Sequence, residues 1–223
     1  MSAAASAAPA RKKKERNSAD KKARILKAAE KEFAAKGFDG ARLSTIAKAA
    51  DVQQALIHHY FEDKERLHAE VLRGGVATMA EAAWKILREM DAPTQKGKRR
   101  TAEELRVLTE AFVDLMLLFF DTNRSFLAIL RHEGARATKT VAETVRPVFE
   151  AVVAKLEEMK KRGEIRKDIN ARHLVLSCVA MAAFPYQEEM FVRAIWPIEW
   201  DQVDEIGERH RQIVDMILAR ILP

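Results

Sequence analysis

The chain holds little of what would staple a fold, span a bilayer or turn a β-meander. Its single cysteine, Cys178, among 223 residues excludes an internal disulfide framework and suits a reducing compartment. Eight glycines and six prolines are too few for the repeated tight turns of an all-β fold, and no period-two alternation of any weight replaces them. No apolar run approaches the roughly 20 residues that a membrane-spanning helix needs. The longest uncharged stretch, Leu174 to Gln187, is interrupted by Pro185 and suits a helix buried in protein. The Ala-rich start lacks the apolar segment of a secretory signal. A cytoplasmic protein without a membrane partner is therefore expected. Phosphate-loop and triad patterns are also missing, so no enzyme is expected.

What is abundant favours helix: Ala, Leu, Glu, Lys and Arg dominate, and 48% of the residues are apolar, enough to bury a core. The net charge of +6 matters less than its location. Residues 1–68 hold 15 Lys and Arg against 9 Asp and Glu, whereas residues 69–223 hold 24 of each. All the excess positive charge lies in the first third, as a polyanion-binding head on a neutral body requires. A basic tail that only aids solubility is the plainer alternative.

The periodicity predicts an all-α chain. Residues 1–18, with Arg11-Lys12-Lys13-Lys14-Glu15-Arg16, read as a disordered basic arm. Helices are expected over 19–36, stopped by Gly37, then over 43–50, 53–59 and 64–90, the last with Asp63 as N-cap and a weak point at Gly74-Gly75. Further helices are expected over 102–121, 123–133, 137–162 with a bend at Pro147, 171–195 with a kink near Pro185, and 203–221. The division that follows is an arm at 1–18, a basic head at 19–66 and a helical body at 67–223.

Within the head, two short helices joined by about four residues form a helix-turn-helix. Ile46, Ala47 and Ala50 bury the first helix, and the small alanines permit a close crossing. Val52, Ile57, Tyr60 and Phe61 anchor the second. Gln53, Gln54, Ala55, His58 and His59 are left on its outer side, where amides can read adenine and an alanine methyl can pack on thymine. Spacing of this kind alone also occurs in ordinary three-helix cores.

The run from Ile46 to Leu67, IAKAADVQQALIHHYFEDKERL, together with Phe33 to Gly40, FAAKGFDG, resembles the DNA-binding signature of the tetracycline-repressor (TetR) family. Val145-Arg146-Pro147 and the run from Lys161 to Asp168 look like features of that family's second domain. The resemblance implies a homodimeric regulator of double-stranded operator DNA, usually a repressor, whose helical body binds a small molecule. Carried over by position, Arg42 and Lys64 would hold backbone phosphate, and Gln53, Gln54, Ala55 and Leu56 would meet bases or adjacent phosphates. His58 and His59 would contact phosphate. Three residues depart from the pattern. Asp51 stands where the turn glycine is usual, Gln53 where a small hydroxyl caps the helix, and His58 where tyrosine is usual, which would make that contact sensitive to pH. The remaining alternatives are a helical regulator without a small-molecule effector, and an all-helical enzyme or interaction module.

In the body, Trp84, Phe112, Met116, Phe119, Phe120, Phe126, Met159, Met181 and Tyr186, with His132, Glu133 and Gln187 as polar groups, are candidates to line a pocket for a small apolar or amphipathic ligand. Any one of them can equally be core. No cofactor and no metal are expected, since His58 and His59 are adjacent and diverge by about 100° on a helix. Val203, Ile206, His210, Val214, Ile217 and Ile221 form one stripe, which with the apolar segment Leu174–Phe184 predicts a four-helix dimer interface.

Overall fold

The computed structural model describes residues 8–91, 99–196 and 202–223, all of whose regular elements are helices. The chain divides into two compact units, one of Met1–Gly74 with Ala128–Thr140, the other of Gly75–Leu127 with Val141–Pro223.

The first unit is built on α1 (Ala8–Gly40), α2 (Leu43–Ala49), α3 (Gln54–Phe61) and the start of α4 (Lys64–Asp91). Ile25, Ala29 and Phe33 of α1, Ile46 and Ala47 of α2, Ile57 and Phe61 of α3 and Leu67 of α4 are all buried, and α2 packs on both α1 and α3. The i, i+4 spacing of the α1 residues puts them on one stripe. Helix α1 begins at Ala8, not near Ala19, so the part of the expected arm from Ala8 onwards is helical, and residues 1–7 lie outside the described residues. Ser18, at the end of that arm, is tied down: its hydroxyl lies 2.8 Å from the Tyr60 hydroxyl. Gly37 does stop the helical path, with φ 65 and ψ 178.

The division expected after Arg66 also falls elsewhere. The first unit continues through Gly74 and takes in Ala128–Thr140, comprising the end of α6 (Arg124–Glu133) and the start of α7 (Ala135–Arg162). Two contacts within the unit explain this. Buried His68 sets its ring edge-on to Phe33 and Phe38, at 4.8 and 5.2 Å. The Glu133 carboxylate accepts the backbone N–H of Phe38, and its other oxygen lies 4.0 Å from His68 Nε2.

The second unit wraps α5 (Ala102–Thr122) with α8 (Ala171–Gln187) and α10 (Val203–Ile221), which both pack against it. Helix α5 opens on a capping box, in which Thr101 Oγ1 accepts the Glu104 N–H and the Glu104 side chain accepts the Thr101 N–H. That pairing satisfies two helix-end donors at once. Helix α7 runs on through Pro147 to Gly163, where the Gly163 N–H reaches Lys160 and the Glu164 N–H reaches Met159; the left-handed glycine, φ 69, makes this a Schellman ending. The single helix expected over 171–195 is two, α8 and α9 (Glu189–Ile195), parted at Glu188 three residues past Pro185.

Gly75 lies inside the continuous α4, so the expected weak point does not interrupt it. Its role is room for a neighbour, because a Cβ there would stand 2.5 Å from the buried Phe126 ring, whereas one at Gly74 would meet nothing. Gly75→Ala should destabilise the protein by about 1–3 kcal/mol through overpacking, and Gly74→Ala should be neutral or stabilising. Equal thermal midpoints for the two variants would refute this account.

The expected dimer stripe on α10 is corrected. Val214 is 1% exposed, and Ile217 and Ile221 are buried as well, turned toward the core of their own unit. Ile206 and His210 are half-buried, His210 Nε2 lying 3.2 Å from Asp114 of α5. The Val203 side chain lies outside the described residues. A continuous apolar stripe marks the face that α10 gives to α5, not a face left for a second copy. What is exposed instead is Met216 on α10, with Leu176 and Phe184 on α8.

Candidate nucleic-acid interface

The turn between α2 and α3 is closed by backbone alone. The Asp51 N–H reaches the Lys48 carbonyl at 3.2 Å and the Val52 N–H reaches that of Ala47 at 3.0 Å, the two bonds of a Schellman motif. Asp51 takes the left-handed conformation at φ 53, a position where aspartate is better tolerated than most residues. Its carboxylate lies 3.5 Å from the Arg24 guanidinium. Gln53 is the N-cap of α3 and its side chain makes no cap bond, so substituting the usual hydroxyl leaves that end without a side-chain acceptor.

Helix α3 is split cleanly by face. Ile57 and Phe61 are buried, and Tyr60 is held against α1 through Ser18. Gln53, Gln54, Ala55, His58 and His59 are exposed and Leu56 is half-buried. Buried anchors beneath and amides and a methyl above are what a helix entering the major groove needs. His58 Nδ1 sits 3.0 Å from the Glu62 carbonyl. Since a carbonyl only accepts, Nδ1 carries the proton, and neutral His58 then offers its outer Nε2 only as an acceptor.

The flanking cations stand at both ends of the motif. Arg42 is the exposed N-cap of α2, its backbone N–H 3.4 Å from Glu32 Oε1. Lys64 opens α4, where Asp63 caps the helix by accepting the Arg66 N–H at 2.7 Å. The Lys64 ammonium lies 4.6 Å above the Phe38 ring, a contact that positions it without neutralising its charge.

The candidate ligand residues do not gather in one place. In the second unit a cavity of about 90 Å³ lies among α4, α5, α7, α8 and α10. Of the residues expected to line a pocket, Phe112 and Met159 lie in its wall. Phe119 and Phe126 pack edge-on in a separate aromatic cluster, and Tyr186 stacks on Phe120. Met116 is buried outside the cavity lining, and the Met181 carbonyl accepts from Arg209 at 2.5 Å. His132 belongs to the first unit, where its Cβ stands 3.3 Å from where a Gly37 Cβ would lie. Ile217 and Ile221, expected on the dimer stripe, line the cavity together with Cys178; their shared apolar faces are the available signal. Among the described residues no cluster of three His, Cys, Asp or Glu could hold a metal ion, and no helix is long and apolar enough to cross a membrane.

An all-helical chain with a basic helix-turn-helix and a separate helical body defines a DNA-binding transcriptional regulator. Residues 25–71 match the family described as "Bacterial regulatory proteins, tetR family", and residues 102–217 match "Tetracyclin repressor-like, C-terminal domain". The HTH-type transcriptional repressor NicS of Pseudomonas putida is 29% identical over 173 residues, which are 72% of this chain and 73% of that protein. The HTH-type transcriptional repressor SCO4008 of Streptomyces coelicolor is 32% identical over 162 residues, 72% of this chain and 76% of that protein. The fold is similar to that of the TetR family regulator PfmR from Thermus thermophilus, with a TM-score of 0.63 at 18% identity, covering 88% of this chain and 97% of the other. The chain belongs to the TetR family of transcriptional regulators, whose members generally bind DNA as homodimers.

Proposed function

We propose that the protein is a repressor that holds a near-palindromic operator as a two-fold dimer and releases it when a small molecule occupies the body. The observation that carries the DNA-reading part is the division of α3 between buried Ile57 and Phe61 and exposed Gln54, Ala55, His58 and His59. Both relatives described above are named as repressors, which supports the sign of regulation. The dimer forms on the exposed faces of α8 and α10, with Leu176, Phe184 and Met216 at its centre. A helix of that composition leaves large apolar side chains in water unless a second copy covers them.

In this reading Gln54 and Ala55 meet base edges, aided by Gln53 and Leu56, while Arg42, Lys64 and His59 hold phosphate. Lys64→Ala should weaken binding to all sequences alike and reduce the salt slope by about one unit per half-site. Gln54→Ala should instead relax preference at one position per half-site by about 1–3 kcal/mol. Fluorescence titrations over a salt series, on the operator selected from a random library, separate the two. Unchanged affinity for both variants would remove this assignment.

His58 gives a second handle. With Nδ1 held 3.0 Å from the Glu62 carbonyl, its ring is fixed on the exposed face of α3. His58→Ala should therefore weaken binding to all sequences alike. Unchanged affinity in the variant would show that His58 makes no phosphate contact.

Release would be a population shift. To cut operator affinity a hundredfold, the ligand must prefer the non-binding state by about 2.7 kcal/mol in total, and operator must weaken ligand binding by the same factor.

A further inference from the structure

The cavity of the second unit is chemically one-sided. Of the side chains that wall it, only Thr109 and Cys178 carry a hydrogen-bond donor. The Thr109 hydroxyl already donates to the Leu105 carbonyl at 2.8 Å, which leaves it able to accept one hydrogen bond. Burial pushes the Cys178 thiol up to about 11, so it stays neutral. The most deeply buried charges of the same unit, Arg100, Lys155 and Glu164, have opposite charges beside them. Arg100 meets Glu164 at 2.9 Å, and Lys155 meets Glu158 at 3.3 Å. An ion entering the cavity would lose its water and meet no counter-charge among these groups.

We infer that this cavity takes an uncharged, compact, largely hydrocarbon ligand on the scale of one substituted aromatic ring, and rejects carboxylates and ammonium ions of the same shape. The inference rests on the effector reading above and narrows it from apolar or amphipathic to uncharged. The size follows from about 90 Å³ of free space, somewhat below the ~150 Å³ of an apolar cavity that admits benzene, with the flexible Met90 and Met159 in the wall able to give way. One hydroxyl or ring N–H is tolerated, because Thr109 Oγ1 can accept it.

Full-length protein is titrated with toluene and p-cresol and with their charged isosteres benzoate and benzylammonium, by calorimetry and thermal shift. The neutral pair should bind and raise Tm, with the ions at least a hundredfold weaker. Filling the space from two sides, with Cys178→Leu and separately Ala83→Met, should abolish toluene binding in whichever variant keeps its circular dichroism and cooperative unfolding. A readout that needs no variant is the reaction of Cys178 with methyl methanethiosulfonate, in which the thiolate takes the SCH3 group as a mixed disulfide and methanesulfinate leaves; saturating toluene should slow it. Equal binding of benzoate or benzylammonium, no binding of either neutral compound, or a Cys178 rate indifferent to toluene each overturns the inference. Operator release measured in parallel keeps the two readings distinct. Toluene that binds without releasing DNA upholds the ligand class and removes the effector role. Release by the ions alone upholds the effector role and removes the ligand class.

Discussion

Replacing both Leu176 and Phe184 with glutamate should yield folded protomers that no longer pair. Leu176 is 64% exposed and Phe184 47%, so within one protomer neither change buries a charge, and the thermal midpoint of the body should fall only modestly. In the dimer the same carboxylates would face their symmetry mates across an apolar centre, where like charges are both desolvated and mutually repelled. Sedimentation should show a monomer. Operator affinity should fall about 10²–10⁴-fold, the gain that joining two reading heads supplies when half-site spacing fits. A double variant that remains dimeric would place the interface elsewhere.

Val214→Glu is the opposite case, and its effect should be larger on folding than on assembly. Val214 is 1% exposed on the face that α10 turns toward its own core. A carboxylate there would be buried without a partner, at a cost above about 4 kcal/mol, comparable to the whole stability of many domains. The expected result is loss of cooperative unfolding in the body, with protein found in aggregates rather than as soluble monomer. A folded, monomeric Val214→Glu protein would restore the reading of that stripe as a dimer surface.

These two experiments mark where the sequence was legible. Local chemistry announces itself locally. Gly37 past a helix end, Asp63 three residues before the Arg66 N–H, and the alanines and Ile57 of the helix-turn-helix act within a few residues of where they stand, so spacing alone identifies them. The outward set on α3 was legible for the same reason, because an eight-residue helix with two buried anchors leaves only one orientation for the rest.

Partner choice is another matter. The stripe on α10 states that one face is apolar, and any apolar cover satisfies it; hydrophobic burial is not directional, so α5 of the same protomer and α10 of a second copy read alike. Only packing shows that α5 takes it. Residues 8–18 have few apolar positions of their own and so show no helical period, whereas Ser18 is held by Tyr60 from 42 positions away. The aromatic candidates for a pocket share one composition, and three-dimensional spacing alone divides them between the cavity wall at Phe112 and the stacked cluster of Phe119, Phe126 and Tyr186. His132 and Glu133 lay in a segment that sequence order gives to the body. The Glu133 carboxylate, buried where the Phe38 N–H can satisfy it, belongs instead to the head. Residue type and period thus determined most of the helices, the outward face of α3 and the family of this protein. Which faces met, and which polar groups could be buried, were decided only when distant segments came within hydrogen-bonding and van der Waals range.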